Sequence, residues 1–119
     1  MPGPVRVFHC DDSSAFRILV REMLLDLGGV EMVGEASDLA EALASLPGAR
    51  ADVVLVDLFD QERPGELLSR LRDASQGSHL LLYTGMPEQH VPVGADGHVH
   101  KSVAFTELRH AIFEVAGRP

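Results

Sequence analysis

Residues whose chemistry suits a phosphoryl group occur at five positions of this sequence. They comprise three carboxylates, one hydroxyl and one amine, namely Asp11, Asp12, Asp57, Thr84 and Lys101. Carboxylates brought close together repel one another, so they take up protons or share a divalent cation, and all-oxygen ligands favour Mg²⁺ or Mn²⁺ over zinc. A metal ion, an ammonium and a hydroxyl fit the oxygens of a phosphoryl group while one carboxylate attacks phosphorus. We therefore predict phosphoryl chemistry, with Asp57 as the nucleophile.

The elements that would position these residues are β-strands, because each site residue follows a short segment that is predicted to be a strand. Strands are predicted at Val5–Cys10, Val30–Ala36, Val53–Val56, Leu80–Tyr83 and His98–His100. The run Val53–Val56 lacks polar alternation, which is typical of a central parallel strand covered on both faces. Neighbouring strands lie roughly 4.8 Å apart, so carboxylates that follow adjacent strands should meet in one small volume.

Helices are predicted between the strands, where apolar residues recur at intervals of three and four. The first follows Asp11–Ser14 and ends at Gly28-Gly29, the second ends at Pro47-Gly48, the third begins at Pro64, and the last contains Phe105–Val115. This alternation predicts one α/β domain over residues 1–119, with a doubly wound parallel sheet. We expect the strand order 2-1-3-4-5, in which strands one and three are neighbours at the point where the order reverses. Pro87 and Pro92 leave too few residues for a regular fourth helix, which we expect to be truncated.

Composition narrows the partners that this chain can have. Its 119 residues predict one domain with one core, and its net charge of −8 disfavours binding of nucleic acid by this chain alone. No apolar run approaches the roughly 18 residues that a membrane span needs, so we expect no membrane association. The single Cys10 cannot form an internal disulfide, which favours a cytoplasmic location.

At the site residues the sequence resembles the receiver domain of bacterial two-component response regulators, over essentially its whole length. Members of that family carry an acidic pair after strand one and a phospho-accepting aspartate at the end of strand three. They also carry Thr or Ser before a small residue after strand four, and a lysine after strand five. The matching residues are Asp11-Asp12, Asp57, Thr84-Gly85 and Lys101. The resemblance implies a flavodoxin-like fold and a signalling switch rather than an enzyme.

The same resemblance implies a metal site and a set of partners. Asp12 and Asp57 would bind Mg²⁺ directly, Asp11 would act through water, and the backbone carbonyl of Phe59 would complete the protein ligands. A histidine kinase, a phosphotransfer protein or a small phospho-donor would phosphorylate Asp57. The segment Val33–Ala36 resembles receivers that precede a helix-turn-helix DNA-binding domain. An output domain in a longer chain and a homodimer therefore stay open.

Several residues depart from the family pattern. Ser102 follows the lysine where the family usually has a proline in a cis peptide, so we expect a trans bond. Asp60 adds a carboxylate near the site, and His98 stands where the family often has a switching Tyr or Phe. The interval from Thr84 to Gly94 is also short. These features leave an alternative open, in which a divergent receiver binds its partner without phosphorylation.

Each site residue taken alone also has a structural interpretation. Asp11, Asp12 or Ser13 could cap the first helix, and Lys101 could be a solvated surface charge. Their joint placement at the strand ends favours the functional interpretation. A Mg²⁺-dependent phosphatase with an aspartyl nucleophile fits less well, because Phe59 stands where it would need a second carboxylate.

Overall fold

A computed structural model describes residues 3–57, 63–87 and 92–118 of the chain. The strands and helices of these residues alternate in the order β1 (Val5–Cys10), α1 (Ser14–Leu27), β2 (Val30–Ala36), α2 (Leu39–Ala49), β3 (Val53–Val56), α3 (Pro64–Ser75), β4 (His79–Thr84), β5 (Gly97–His100) and α4 (Phe105–Val115). The strands form one parallel sheet in the order β2-β1-β3-β4-β5. The predicted doubly wound α/β fold is therefore confirmed.

The sheet separates two apolar clusters because successive side chains of a strand point to opposite faces. In β3, Val54 and Val56 belong to a cluster that includes residues of α2 and α3. Val53 and Leu55 belong to a second cluster that includes residues of α1 and α4. All four β3 side chains are buried, as predicted for a central strand covered on both faces.

Backbone hydrogen bonds fix the strands at the edge of the sheet where the site residues lie. The amide of Asp57 donates to the carbonyl of Cys10 at 2.9 Å, which ties the end of β3 to the end of β1. The amide of Lys101 donates to the carbonyl of Thr84 at 3.0 Å, which ties β5 to β4. The residues that follow these four strands are therefore held at one edge.

Helix α1 begins with a serine cap rather than an aspartate cap. The hydroxyl of Ser13 accepts a hydrogen bond from the amide of Phe16 at 3.2 Å. Asp11 supports this turn from outside the helix, since its Oδ1 accepts from the amide of Ser13 at 2.9 Å. Asp12 does not take part in the cap, and its side chain is exposed at the edge of the sheet where the site residues lie.

The predicted end of the second helix at Pro47-Gly48 is wrong, because α2 continues to Ala49. Pro47 lacks the N–H that would bond to the carbonyl of Leu43, but it lies in the last turn of the helix. A distant side chain stabilises that turn. The guanidinium of Arg6 donates to the carbonyls of Ala49 and Arg50, each at 3.0 Å, and so satisfies two acceptors at the end of the helix.

The connection from β4 to β5 is short, as predicted. Of its residues, 85–87 and 92–96 are described and form no helix, and 88–91 lie outside the described residues. The truncated fourth helix, expected between Pro87 and Pro92, falls on the residues outside the described part and stays a prediction. Nowhere in the described ranges is a helix long and apolar enough to cross a membrane.

Two glycines give a test of packing in this fold. A Cβ at Gly34 in β2 would lie 2.6 Å from the ring of the buried Phe8, whereas a Cβ at the exposed Gly48 in α2 would meet nothing within 4 Å. Gly34→Ala should therefore lower the free energy of unfolding by about 1–3 kcal/mol, because the ring must shift within a packed core. Gly48→Ala should leave it unchanged or raise it by up to about 1 kcal/mol. Urea unfolding measures both, and equal values for the two variants would contradict this packing.

Candidate functional site

Three carboxylates lie together at the carboxyl ends of β1 and β3. One oxygen from each of Asp11, Asp12 and Asp57 lies within 4.8 Å of the others. Asp11 is 0% exposed, Asp57 is partly buried and Asp12 faces solvent. The sheet order explains the cluster, because β1 and β3 are neighbours. The structure therefore brings together the three carboxylates that the sequence pointed to.

Lys101 joins two of these carboxylates. Its ammonium lies 2.8 Å from Oδ2 of Asp11 and 2.9 Å from Oδ2 of Asp57. It also lies 4.4 Å from the centre of the Phe16 ring, a favourable position for a cation. Burial alone would lower the pKa of Lys101, but the hydrogen bonds and charges of the two carboxylates outweigh it and raise this pKa above its ordinary value. The lysine is charged, and an excess of negative charge remains in the cluster.

Thr84 lies on the next strand, at the end of β4. Its side chain is buried, and its Oγ1 accepts a hydrogen bond from the amide of Met86 at 3.2 Å. Because that oxygen accepts from the amide, the hydroxyl proton is not used in this contact and is available for donation. Thr84 and Lys101 thus lie at the same edge as the carboxylates, on the strand ends where the sequence analysis placed them.

Other expectations for the site have mixed outcomes. Phe59, expected to supply a carbonyl, and Asp60, an added carboxylate, lie outside the described residues. His98 pairs with Leu82 across the sheet and is partly exposed. Among the described residues no peptide bond is cis, so the expected trans bond before Ser102 is confirmed.

The sequence analysis missed Arg17 and its partner Glu35, which support the turn that carries Asp11 and Asp12. Arg17 donates from Nη1 to the backbone carbonyl of Asp11 and from Nε to Oε1 of Glu35 at 3.1 Å. Arg21 pairs with the same glutamate. These contacts join α1, β2 and the turn after β1, so no local spacing in the sequence could reveal them.

His9 and Cys10 are buried in β1 beneath the site. Burial lowers the pKa of His9 to about 4, with neighbouring charges acting in both directions. Neither of its ring nitrogens has a hydrogen-bond partner among the described residues, and the ring packs near those of Phe16 and Tyr83. Burial also raises the pKa of the Cys10 thiol to about 12, so this thiol stays protonated and unreactive. Both residues belong to the core.

A comparison with known protein families identifies the family of this fold and site. The family model described as "Response regulator receiver domain" matches residues 7–113. The chain belongs to the response regulator receiver domain family. This confirms the resemblance found in the sequence, and it places the chain among the receivers of two-component systems.

Known response regulators and receiver domains are similar to this chain over nearly its whole length. The DNA-binding transcriptional activator DevR/DosR of Mycobacterium tuberculosis is 35% identical over 96% of this chain and 56% of that protein. The signal receiver domain of NarL from Mycobacterium tuberculosis is 30% identical, with a TM-score of 0.85 and 98% of each chain covered. A LuxR-family response regulator from Aurantimonas is 28% identical, with a TM-score of 0.84, covering 98% of this chain and 88% of that one. This receiver domain spans about half the length of most of the curated relatives that it matches, as with the 56% of DevR/DosR and the 53% of the response regulator GacA of Pseudomonas viridiflava.

The burial of His9 gives the receiver domain a measurable pH dependence. The pKa of His9 is about 4 in the fold and 6.5 for an ordinary histidine in an unfolded chain, so between these pH values the unfolded chain binds up to one more proton. The free energy of unfolding should fall as the pH falls through that window. In His9→Phe the slope should be smaller by up to about 1.4 kcal/mol per pH unit.

Urea unfolding at a series of pH values measures this slope. His110→Phe is the matched control, because the side chain of His110 is 81% exposed. An unchanged slope in His9→Phe would show that the buried ring does not cause the dependence.

Proposed function

We propose that this receiver domain accepts a phosphoryl group on Asp57, with Mg²⁺, and that the modification switches a protein-binding surface. The observation that carries the proposal is the contact of the Lys101 ammonium with both Asp11 and Asp57, at 2.8 and 2.9 Å, inside an acidic cluster. The arrangement places an accessible carboxylate, a cation and a hydroxyl at one edge of the sheet. Such groups stabilise the charge of a transferring phosphoryl group.

The chemistry starts at the carboxylate of Asp57. One of its oxygens attacks phosphorus, the bond from phosphorus to the donor breaks, and the leaving group departs with the electron pair and takes up a proton. For a phosphohistidine donor the broken bond is P–N and the leaving group is imidazole. Lys101 already contacts Oδ2 of Asp57, so its ammonium can donate to an oxygen of the phosphoryl group that becomes attached there. The oxygen of the Thr84 hydroxyl accepts from the amide of Met86, so its proton is available to donate to another phosphoryl oxygen.

The residues present fit a divalent cation. The donor set is entirely oxygen, its members lie within 4.8 Å of one another, and Lys101 leaves an excess of negative charge. Within Asp11, Oδ1 accepts from Ser13 and Oδ2 from Lys101, which supports direct binding by Asp12 and Asp57 and an indirect role for Asp11. The expected carbonyl of Phe59 is part of the same proposal. When bound, Mg²⁺ would neutralise charge on the carboxylates and on the phosphoryl oxygens.

The proposed partners follow from the family and from the length of the relatives. A histidine kinase or a phosphotransfer protein would donate the phosphoryl group. DevR/DosR is a DNA-binding transcriptional activator and this chain covers 56% of it, so we propose an output domain in a longer protein. A homodimer stays open as a further proposed partner. The net charge of −8 repels the phosphates of DNA, so any contact with DNA would be made by that output domain.

A divergent receiver that works without phosphate is the alternative. Ser102, Asp60 and the short β4–β5 connection motivate it. The placement of Lys101 against Asp57, with the Thr84 hydroxyl at the same edge, favours the phospho-acceptor, because these groups can stabilise the charge of a phosphoryl group. Labelling of the chain separates the two functions.

Acetyl phosphate with Mg²⁺ should add one phosphoryl group to the chain, and Asp57→Asn should abolish this addition. Asp52→Asn is the matched control, because Asp52 precedes β3 at the opposite edge of the sheet and accepts from the amide of Arg6. Intact-mass spectrometry measures the added mass. Labelling of Asp57→Asn equal to that of the wild type would place the acceptor elsewhere, and an unlabelled wild type would favour the divergent receiver.

Mg²⁺ should bind to the chain, and Asp12→Ala should weaken that binding at least tenfold by removing a proposed ligand. Asp26→Ala removes a carboxylate from α1, outside the cluster, and should leave the affinity unchanged. Titration calorimetry measures the three affinities. Equal affinity in Asp12→Ala and the wild type would refute the proposed metal site.

A further inference from the structure

The side chain of His100 lies between the loop that follows β4 and the loop that follows β5. Its Nε2 is 3.1 Å from the carbonyl oxygen of Gly85, in the loop after β4. Its Nδ1 is 2.7 Å from the hydroxyl of Ser102 and 3.1 Å from the Ser102 amide nitrogen, in the loop after β5. One imidazole therefore contacts both loops, and we call this arrangement of His100, Gly85 and Ser102 the clasp.

The contacts of the clasp fix the tautomer of the ring. A carbonyl oxygen can only accept, so Nε2 of His100 must carry a hydrogen and donate to Gly85. A backbone amide can only donate, so Nδ1 must be bare and accept from Ser102. The hydroxyl of Ser102 can donate to the same nitrogen. One neutral tautomer, with its hydrogen on Nε2, satisfies every contact.

Ser102 supplies two donors to the clasp. Its amide and its hydroxyl both meet Nδ1 of His100, and a proline at this position would have neither group. The serine after Lys101, which sets this sequence apart from the usual family pattern, thus supplies the donors that hold the ring in place.

The clasp acts beside a second connection between the same loops. The amide of Lys101 donates to the carbonyl of Thr84 at 3.0 Å. This backbone hydrogen bond lies one residue before the clasp contacts at Gly85 and Ser102. The hydroxyl of Thr84 in turn accepts from the amide of Met86, one residue beyond Gly85. Fixing Gly85 therefore constrains the turn that orients this hydroxyl.

We propose that His100 is a positioning residue: the clasp cross-links the β4 and β5 loops and sets the Thr84 hydroxyl relative to the Lys101 ammonium. Its consequence for the reaction rests on the proposed phosphoryl transfer to Asp57, whereas the cross-link itself does not. Transfer requires the hydroxyl and the ammonium to reach oxygens of one phosphoryl group at the same time, and a misplacement of about 1 Å can cost as much as 100-fold in rate.

The cross-link is tested on the chain without any phospho-donor. Nitrogen-15 NMR should find His100 with its hydrogen on Nε2 and with Nδ1 bare. In His100→Phe, hydrogen exchange should become about tenfold faster at the Ser102 amide, which loses its acceptor, and also at the Met86 amide. A merely local role would leave Met86 unchanged. His110→Phe, the same substitution at an exposed site on α4, is the control and should change neither amide.

The effect on the reaction is tested by the rate of labelling at increasing acetyl phosphate concentrations. His100→Phe should lower the maximal rate about tenfold and leave the half-saturating concentration nearly unchanged, because the clasp orients groups without holding the donor. His100→Gln should restore much of the rate, since its amide nitrogen can donate to Gly85 from near the Nε2 position. Ser102→Ala keeps the backbone donor and should show a smaller loss, which also serves if His100→Phe does not fold.

The outcomes separate this inference from the proposed function. An unlabelled wild type, with Met86 exchange that still responds to His100→Phe, would overturn the phosphoryl transfer and uphold the cross-link. A labelled wild type, with His100→Phe equal to it in maximal rate or in Met86 exchange, would overturn the positioning role. A hydrogen on Nδ1 rather than on Nε2 would overturn the clasp itself.

Discussion

The ammonium of Lys101 between Asp11 and Asp57 is the interaction on which the site depends. Three carboxylates at the edge of one sheet repel one another, and burial of Asp11 increases the cost of its charge. The lysine meets two of them at hydrogen-bond distance and relieves part of that repulsion. What remains is an excess of negative charge that suits a divalent cation. The proposed acceptor chemistry follows from this partial neutralisation.

The fold explains why these groups meet although they are far apart in the sequence. With the strand order β2-β1-β3-β4-β5, the carboxyl ends of β1 and β3 are adjacent. The ends of β4 and β5 lie beyond β3, in that order. Ligands of doubly wound sheets bind outside the carboxyl ends of the strands, where the order reverses. Lys101 reaches back from the end of β5 across this edge to Asp11 after β1. The distance across the sheet is bridged by the length of a lysine side chain.

Much of the fold and the main site residues could be predicted because their signals are local. Buried parallel strands are continuous apolar runs, as in Val53–Val56, and polar residues directly after such runs must lie at one edge. The end of α2 could not be predicted by the rule that proline ends a helix. The guanidinium of Arg6, far away in the sequence, satisfies the carbonyls of the last turn beyond Pro47.

The supporting residues of the site escaped prediction for the same reason. Arg17 holds the backbone of Asp11 from α1, with Glu35 of β2 beneath it, and His100 holds Gly85 through a hydrogen-bonded ring. Each contact joins elements whose relative positions exist only in the folded chain. Ser102 is instructive, because in the sequence it only marks a missing proline, whereas in the structure it donates to His100.

The most direct measurement of the acceptor site is fluorine-19 NMR of the chain with beryllofluoride, an analogue of the phosphoryl group, in the presence and absence of Mg²⁺. Bound fluorine resonances should appear in the wild type only with Mg²⁺ and should be absent in Lys101→Met, which keeps the bulk of the side chain and removes its charge. Bound resonances of equal intensity in Lys101→Met, or none in the wild type, would contradict the central role of this ion pair.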